Sequence, residues 1–374
     1  MSTLQSQSLH AQRNGGSAPA RTPVITAIRT GTPGHRLPQA EAQRVAASQF
    51  PEIESSPDLL GVFDHAEIDE RQLARPSEWY VEPHGFAEKN AVYREEALAL
   101  ATRLIGEALD DAGVEPEQID AVVFVSTTGL STPSLEAQLI QDLGLSRNAV
   151  RVPLWGLGCA GGAAGLARAA DLVRAGHAHV LLVAVEFCSL TFQMGDDDKA
   201  NLIGTALFAD GGAALVLGAE ETAGTDDARA ASLVRILHTH SELLDDSAAL
   251  TGWDVIDDGF KLRLAPEIPQ VVAANLRRVI DASLADAGWV VGDLDAVVVH
   301  PGGAKVIAGY EAVLGVDSSM LDPARAVLRQ HGNMSSPTVL FVLAETLARG
   351  TTGRGLISAT GPGFSAEHLL VELV

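Results

Sequence analysis

The 374-residue sequence has few cysteines, few basic residues and no long apolar segment. Two cysteines exclude a disulfide framework, so the core must stabilise the fold, and free thiols fit a reducing cytoplasm. Lysine and arginine number 26 against 48 acidic residues, and the resulting net charge of -22 argues against nucleic-acid binding. Because no run of about 18 apolar residues occurs, no membrane-spanning helix is predicted.

The first 22 residues are small and polar, and they lack the apolar middle of a signal peptide. We therefore predict that residues 1–22 form a disordered tail. Residues 24–28 are typical of a first strand, and residues 38–87 of helices and loops rich in charge. Apolar residues make up 47% of the chain, enough for a sizeable core in two fused halves.

A pattern of helix, loop and strand occurs twice, with an offset of 175 residues. Residues 107–125, EALDDAGVEPEQIDAVVFV, resemble residues 282–300, ASLADAGWVVGDLDAVVVH. A constant offset across three elements indicates internal duplication. Because each copy alternates helix and strand, we predict an α/β fold with halves at 23–225 and 226–374.

The duplication gives Cys159 and Asn333 near-equivalent positions, since each precedes a helix of small and apolar residues. A buried strand then follows each helix, at residues 180–185 and 355–360. If a pseudo-twofold axis relates the halves, these two central helices begin near one another. His300 ends its strand and can join them. We therefore expect three residues distant in sequence to meet at one site.

These three residue types suit the transfer of acyl groups. Glycines flank Cys159 in GLGCAGG and leave room for a thioester to approach the sulfur. A helix N-terminus and a nearby imidazolium would lower the pKa of its thiol, and the resulting thiolate can attack a thioester. His300, in VVVHPGGAKV, can move a proton or donate to an oxyanion, and the amide of Asn333 can donate as well. Taken singly, each also fits an ordinary role as core residue or helix cap.

Further residues have two interpretations each. Cys188 lacks a glycine-rich setting and is interpreted as a wall residue. Phe208 precedes a turn and is interpreted either as a core residue or as a gate over a pocket. The loop Gly361–Pro362–Gly363 follows a central strand and could shape a cavity, whereas Lys305 is either a ligand-binding cation or a solvated lysine.

The motifs GLGCAGG, HPGGAKV, HGNMSSPTV and GPG, in this order, make the chain similar to type III polyketide synthases, the chalcone-synthase-like enzymes of the thiolase fold. The resemblance covers residues 24–374, nearly the whole chain. It implies a thiolase-like α/β fold of two duplicated halves in a five-layer αβαβα arrangement. It also implies a cytoplasmic homodimer without cofactor, metal or carrier-protein attachment, which uses an acyl-CoA starter and malonyl-CoA.

The same resemblance assigns the reaction. Cys159 would carry the acyl group, while His300 and Asn333 would stabilise the enolate formed when a malonyl thioester loses carbon dioxide. The enolate would then lengthen the acyl chain, and repeated extension would precede cyclisation, with alkylpyrones or alkylresorcinols as possible products of bacterial members.

The resemblance also assigns cavity residues. Phe208 would guard the passage from the coenzyme A tunnel, Thr191 would line the cavity, and the loop 361–363 would shape it. A loop near Thr132 would reach toward the partner's cavity. Leu262 stands where plant enzymes have a second gating phenylalanine.

Three departures from the plant enzymes bear on the substrate. Thr132 replaces a methionine, and together with Leu262 it argues against a flavonoid-type aromatic starter. The basic residues that contact coenzyme A phosphates are not matched around residues 58–65, so Lys305 could supply the cation. Small side chains such as Thr132 and Cys188 leave room for a fatty acyl chain.

Two other functions remain open from the sequence. A ketoacyl synthase III-type enzyme shares the Cys, His and Asn set but performs one condensation with a carrier protein. A non-catalytic acyl-binding subunit of the same fold would usually lack the cysteine, which is present here. A papain-like protease would show no such duplication.

Overall fold

The computed structural model describes residues 21–49, 57–196, 198–220 and 232–374. The strands in these ranges are β1 Pro23–Gly31, β2 His35–Pro38, β3 Glu70–Leu73, β4 Ala121–Val125, β5 Val150–Leu154, β6 His179–Phe187, β7 Asp210–Ala219, β8 Val234–Leu243, β9 Thr251–Ile256, β10 Gly259–Leu264, β11 Ala296–Val299, β12 Gly353–Gly361 and β13 Ser365–Leu373. The α-helices are α1 Gln39–Gln49, α2 Pro57–Asp64, α3 Phe86–Ala112, α4 Glu136–Asp142, α5 Gly161–Arg174, α6 Lys199–Leu207, α7 Ile268–Asp286, α8 Ala304–Leu314, α9 Asp322–His331 and α10 Thr338–Ala348.

Nine strands form one mixed sheet in the order β11-β12-β13-β8-β1-β7-β6-β4-β5. The same pairing pattern occurs at both ends of this sheet. Strand β4 pairs in parallel with β6, which pairs antiparallel with β7, and β11, β12 and β13 repeat this arrangement. The halves join where Val24 and Ile25 of β1 pair with Arg235 and Val234 of β8.

Helices α5 and α10 lie between the two halves of the sheet. Helix α5 contacts β4, β6 and β7 of the first half and β8, β12 and β13 of the second. Helix α3 packs on the outer face of β1, β6 and β7, and α7 packs on β8 and β13. The layers therefore follow the order helix, sheet, helix, sheet, helix, which is the five-layer arrangement that the resemblance implied.

The hydrophobic core follows these layers. The largest cluster surrounds the central helices and includes Leu166 of α5 and Val339 of α10. A second cluster fills the space between α3 and the first half of the sheet, around Leu104 and Leu181. The outer face of the second half carries a smaller cluster, in which Val279 of α7 packs near Phe364.

Glycines at the start of α5 let the central helices approach closely. A Cβ atom on Gly162 would lie 2.1 Å from the carbonyl oxygen of Ser336, and one on Gly161 would lie 3.1 Å from the Ser336 Cβ. The first distance leaves no room for a side chain unless the backbone moves, and the second is a tight contact. The prediction that the two helices begin near one another is therefore confirmed.

Local predictions are mostly confirmed. Gly113 caps α3 in the left-handed conformation (φ 61°), and its N–H donates to the Asp110 carbonyl over 3.2 Å. The predicted strands at 121–126, 180–185 and 355–360 are β4, β6 and β12. The prediction of only helices and loops in 38–87 is wrong, because β3 lies there and pairs with β2.

Two predictions concern residues at the edges of the described ranges. Of the predicted tail, residues 1–20 lie outside them, while Arg21 donates to the Gly176 carbonyl over 2.8 Å. The predicted boundary between residues 225 and 226 also lies outside the described ranges. Among the residues described, no helix combines the length and apolar character that crossing a bilayer requires.

Gly162→Ala should destabilise the protein by about 3 kcal/mol or more, because the obstructing atom is backbone and cannot rotate away. Gly106→Ala is the matched control, since this helical glycine of α3 has open space around its Cβ position. The control should be neutral or stabilising by up to about 1 kcal/mol. Thermal unfolding of both variants checks this, and equal melting temperatures would contradict the close approach.

Candidate active site

Cys159 lies in a single 3₁₀ turn, Gly158–Ala160, which leads directly into α5. The residue is half-buried, and Sγ lies 4.0 Å from Oδ1 of Asn333. The turn is held from behind by the loop after β12, because a Cβ on Gly158 would lie 2.7 Å from Pro362. The sulfur is therefore presented at the point where the central helices begin.

Asn333 is fixed by both its side chain and its backbone. Its Oδ1 accepts a hydrogen bond from the Ser335 N–H over 2.8 Å, and its Nδ2 donates to the Gly302 carbonyl over 3.2 Å. Its backbone N–H donates to the Leu207 carbonyl, and its own carbonyl accepts from the Ala209 N–H, both over 2.9 Å. The amide is thus oriented before any substrate binds.

His300 follows β11 and is buried. The ring lies beside Gly302, since a Cβ on that glycine would lie 3.7 Å from Nε2. The Gly302 carbonyl in turn accepts from Asn333, so the histidine belongs to the same cluster. Neither ring nitrogen has a hydrogen-bond partner among the described residues. The imidazole is therefore free to bond a ligand.

Burial controls the ionisation of both groups. It raises the pKa of the Cys159 thiol to about 11, although hydrogen bonds with Ser335 and Asn333 act in the opposite direction. It lowers the pKa of His300 to about 4. The sequence led us to expect a lowered thiol pKa. The structure instead gives a raised pKa for Cys159 when the thiol ionises while His300 stays neutral. Proton transfer from thiol to imidazole would create both charges together, and their attraction offsets part of the desolvation cost.

A buried carboxylate, Glu186, connects the two halves behind the site. Its Oε2 accepts from the Thr127 N–H over 2.8 Å and from the Thr128 N–H over 3.0 Å, both just after β4. Its Oε1 accepts from the Ser336 hydroxyl over 2.7 Å, at the start of α10. Burial raises the pKa of Glu186 to about 7 despite these bonds. Glu186 is a positioning residue that the sequence analysis missed.

A cavity of about 720 Å³, including its open mouth, lies beside this cluster. Its lining is mostly apolar and includes Leu37, Val45, Leu73, Phe192, Phe208 and Leu262. Phe208 connects the cavity to the cluster, because this residue forms an isolated β-bridge with Asn333. The cavity lining therefore reaches Asn333 through Phe208, while Cys159, His300 and Asn333 themselves lie outside that lining.

The structure brings several predicted cavity residues together. Cys188, Thr191, Phe208 and Leu262 all line this cavity. The loop 361–363 lies at the Cys159 turn rather than in the cavity lining, since a Cβ on Gly361 would lie 2.7 Å from the Ala160 Cβ.

Two predicted residues lie outside the cavity. Thr132 is exposed on the loop after β4, so it does not line the cavity of its own chain. Lys305 is exposed in the first turn of α8 and has no ion-pair partner among the described residues. Gly303, two residues before Lys305, approaches Leu207, the neighbour of Phe208.

Other lining residues were not predicted. The ring centroid of Trp253 lies 5.9 Å from that of Phe208, and α1 contributes Ala42 and Ala46. Trp253 lies on the β9–β10 hairpin, which brings it over the cavity from a distant part of the chain. For Glu186 a signal existed, since it is the one acidic residue in the apolar strand HVLLVAVEF.

Family models cover most of the chain. Residues 80–221 match the model described as chalcone and stilbene synthases, N-terminal domain, and residues 235–374 match the corresponding C-terminal domain. A Bacillus subtilis (strain 168) protein named "Putative chalcone synthase" is 42% identical over 92% of this chain and 97% of its own length. The 1,3,6,8-tetrahydroxynaphthalene synthase of Streptomyces peucetius subsp. caesius is 37% identical over 93% of this chain and 92% of its own length.

Solved structures agree with these matches. The crystal structure of 1,3,6,8-tetrahydroxynaphthalene synthase from Streptomyces coelicolor A3(2), described as a bacterial type III polyketide synthase, superposes with a TM-score of 0.87. It is 30% identical in sequence, and the alignment covers 94% of this chain and 99% of that one. The similarity therefore extends over both halves.

Glu186→Gln should change how stability depends on pH. Because the folded-state pKa is raised above the ordinary value of 4.5, the wild-type protein loses stability as pH rises from about 4.5 to about 7. A glutamine cannot ionise, so the variant should gain melting temperature relative to wild type over this window. Calorimetry at pH 5 and pH 8 measures the difference, and an equal difference at both values would contradict a buried, perturbed carboxyl.

Proposed function

The chain belongs to the chalcone and stilbene synthase family of type III polyketide synthases, and from this premise we propose how its residues carry out the reaction. Cys159 accepts the acyl group of an acyl-CoA starter, and His300 and Asn333 promote decarboxylation of malonyl-CoA for repeated extension. The observation that carries this assignment is the meeting of the Cys159 sulfur and the Asn333 amide, 4.0 Å apart, at the start of both central helices.

Loading transfers the acyl group from coenzyme A to the protein. The sulfur of Cys159 attacks the thioester carbonyl after its proton passes to a base, and His300 is the free imidazole in the cluster. A new C–S bond forms to Cys159, and coenzyme A leaves as the thiol. Two helix N-termini beside the sulfur favour the negative charge that develops during attack.

Extension needs hydrogen-bond donors rather than a carboxylate base. When malonyl-CoA loses carbon dioxide, the electron pair of the broken C–C bond remains on the thioester as an enolate. A neutral imidazole N–H and the Asn333 amide N–H can both donate to the enolate oxygen. The lowered pKa of His300 keeps the ring neutral at physiological pH. The enolate carbon then attacks the Cys159 thioester, forms a C–C bond and releases the sulfur.

The cavity supports an apolar starter chain. Leu262 and Phe208 lie on either side of Gly204, whose Cβ position would be 2.9 Å from the first and 3.3 Å from the second. The lining is largely aliphatic and aromatic, so it stabilises methylene groups better than polar substituents. We therefore assign a fatty acyl-CoA as the starter class, with a pyrone or resorcinol as the cyclised product. Lys305 provides a cation for the coenzyme A phosphates.

The loop of Thr132 supports a homodimer. Leu130 and Trp155 are exposed beside it, and the Trp155 indole N–H donates to the Gly129 carbonyl over 3.3 Å. Exposed apolar side chains grouped around one loop are typical of a protein interface. Light scattering on the purified protein should give twice the 39.1 kDa chain mass, and a monomer at micromolar concentration would contradict the dimer.

The proposed location of the protein is the cytoplasm, because its two free thiols and coenzyme A substrates suit a reducing compartment.

Cys159→Ala should abolish both the acyl-enzyme and all elongated products, because Cys159 is the thiol that lies beside Asn333 at the start of the central helices. Cys188→Ala is the matched control, since it removes the second thiol from the cavity wall and should retain the acyl adduct. Mass spectrometry of intact protein and products, with labelled malonyl-CoA and acyl-CoA starters of increasing length, measures both. Polyketide from the Cys159 variant would refute the assignment, and products of a single two-carbon extension would favour a ketoacyl synthase reaction.

Asn333→Ala should separate loading from extension. Loss of one oxyanion donor lowers the rate roughly 10²–10³-fold in comparable sites, so malonyl-CoA decarboxylation should fall by this factor. Acylation of Cys159 should continue. Asn148→Ala, at an exposed turn position, serves as the control. Unchanged carbon dioxide release in the Asn333 variant would show that its amide does not act on the enolate.

A further inference from the structure

Histidines occupy the outer face of the second half-sheet, far along the chain from the catalytic cluster. His238 and His240 lie two residues apart on β8, so their side chains point to the same face. That face is covered by α7, whose last residue is Asp286. His368 of β13 pairs directly with His240 in the sheet and is fully buried. A position normally filled by apolar side chains therefore contains three imidazoles.

Three side chains converge on one point between β8 and α7. Nε2 of His238 lies 3.1 Å from Oδ2 of Asp286, and Nδ1 of His240 lies 3.2 Å from the same oxygen. One ligand atom from each residue lies within 4.8 Å of the others. In a tetrahedral site with bonds of about 2.0–2.2 Å, ligand atoms are separated by roughly 3.4 Å. The two nitrogen–oxygen separations are slightly shorter than this value, and the two histidine nitrogens lie within 4.8 Å of each other, so side-chain adjustment can place all three around one ion.

We propose that His238, His240 and Asp286 bind a divalent transition-metal ion of the zinc class. Two imidazoles and one carboxylate are donors that suit zinc, cobalt, nickel or copper rather than magnesium or calcium. The side chains of His238 and Asp286 are 34% and 48% exposed, so an ion can enter and water can complete its coordination. The proposed site is separate from the polyketide reaction and connects the outer helix to the sheet.

A second carboxylate is placed to orient one ligand. Oε2 of Glu242 lies 3.8 Å from Nε2 of His240, and this nitrogen is buried without a hydrogen-bond partner among the described residues. A proton on Nε2, directed at Glu242, leaves the lone pair of Nδ1 for the metal. Arg278 holds the same carboxylate in an ion pair. The separation of 3.8 Å is longer than a hydrogen bond, so metal binding would have to draw Glu242 closer to complete the carboxylate–histidine–metal arrangement of known sites.

The electrostatic surroundings favour a cation. Asp286 and Glu242 contribute two negative charges, of which Arg278 balances one. The alternative role for the cluster is a hydrogen-bonded ion pair between protonated histidines and Asp286. An ion would replace the protons on both nitrogens, so metal titration distinguishes the two.

Untagged protein freed of metal with a chelator should be titrated with Co²⁺ and, separately, with Zn²⁺. We expect one ion per chain, a visible d–d spectrum for cobalt, and a melting temperature that rises with metal concentration. His238→Ala and Asp286→Asn should weaken binding by more than tenfold, and Glu242→Gln by about tenfold. His177→Ala is the matched control, because His177 forms a surface pair with Asp120 at 3.5 Å, outside the proposed site.

Three results would overturn the proposal. These are the absence of saturable binding to the wild-type protein, equal affinity in wild type and His238→Ala, and a near-ultraviolet charge-transfer band from cobalt bound to a thiolate. The last would place the ion on Cys159 or Cys188. Circular dichroism of each variant and its rate of polyketide formation, which should match wild type, show that a loss of binding does not come from unfolding.

Discussion

The close approach of the two central helices is the constraint on which the active site depends. Cys159 and Asn333 belong to different halves of a duplicated chain, and each stands just before its half's central helix. They meet only because Gly162 allows the Ser336 carbonyl to occupy the space of a missing Cβ. The same contact directs two helix N-termini at the sulfur, where negative charge develops during acyl transfer. A packing requirement thus determines both the position and the electrostatic environment of Cys159, the proposed nucleophile.

A single buried carboxylate makes this arrangement rigid. Glu186 receives hydrogen bonds from the segment after β4 and from Ser336 at the start of α10, so it crosses the boundary between the halves. Burying such a group costs free energy, which is seen in its raised pKa, and the cost is offset by the bonds it accepts. The residues around it cannot shift separately without leaving a polar group unpaired. Stability and catalytic geometry are therefore coupled at this residue.

The chemistry of the site follows from the burial of the Cys159 thiol and the His300 imidazole. Burial disfavours both charged forms, thiolate and imidazolium, so His300 remains a neutral donor suited to an enolate rather than a strong base. The adjoining cavity continues this apolar character toward Phe208, Trp253 and Leu262. The β9–β10 hairpin contributes Trp253 and Leu262 to the wall of that cavity.

The sequence by itself determined the internal repeat, the α/β class and the three residues that we propose as catalytic. Local patterns indicate these properties: a repeat offset of 175, glycines beside Cys159, and turns after His300 and Asn333. Only the tertiary structure decided the features that arise where distant segments of the chain meet. Trp253 lines the cavity because its hairpin packs on α6, Glu186 bonds to both halves, and Thr132 is exposed outside the lining of its own cavity. Side-chain periodicity shows which face of an element is buried, but not which partner covers it, and burial by that partner sets the pKa values of Cys159 and His300.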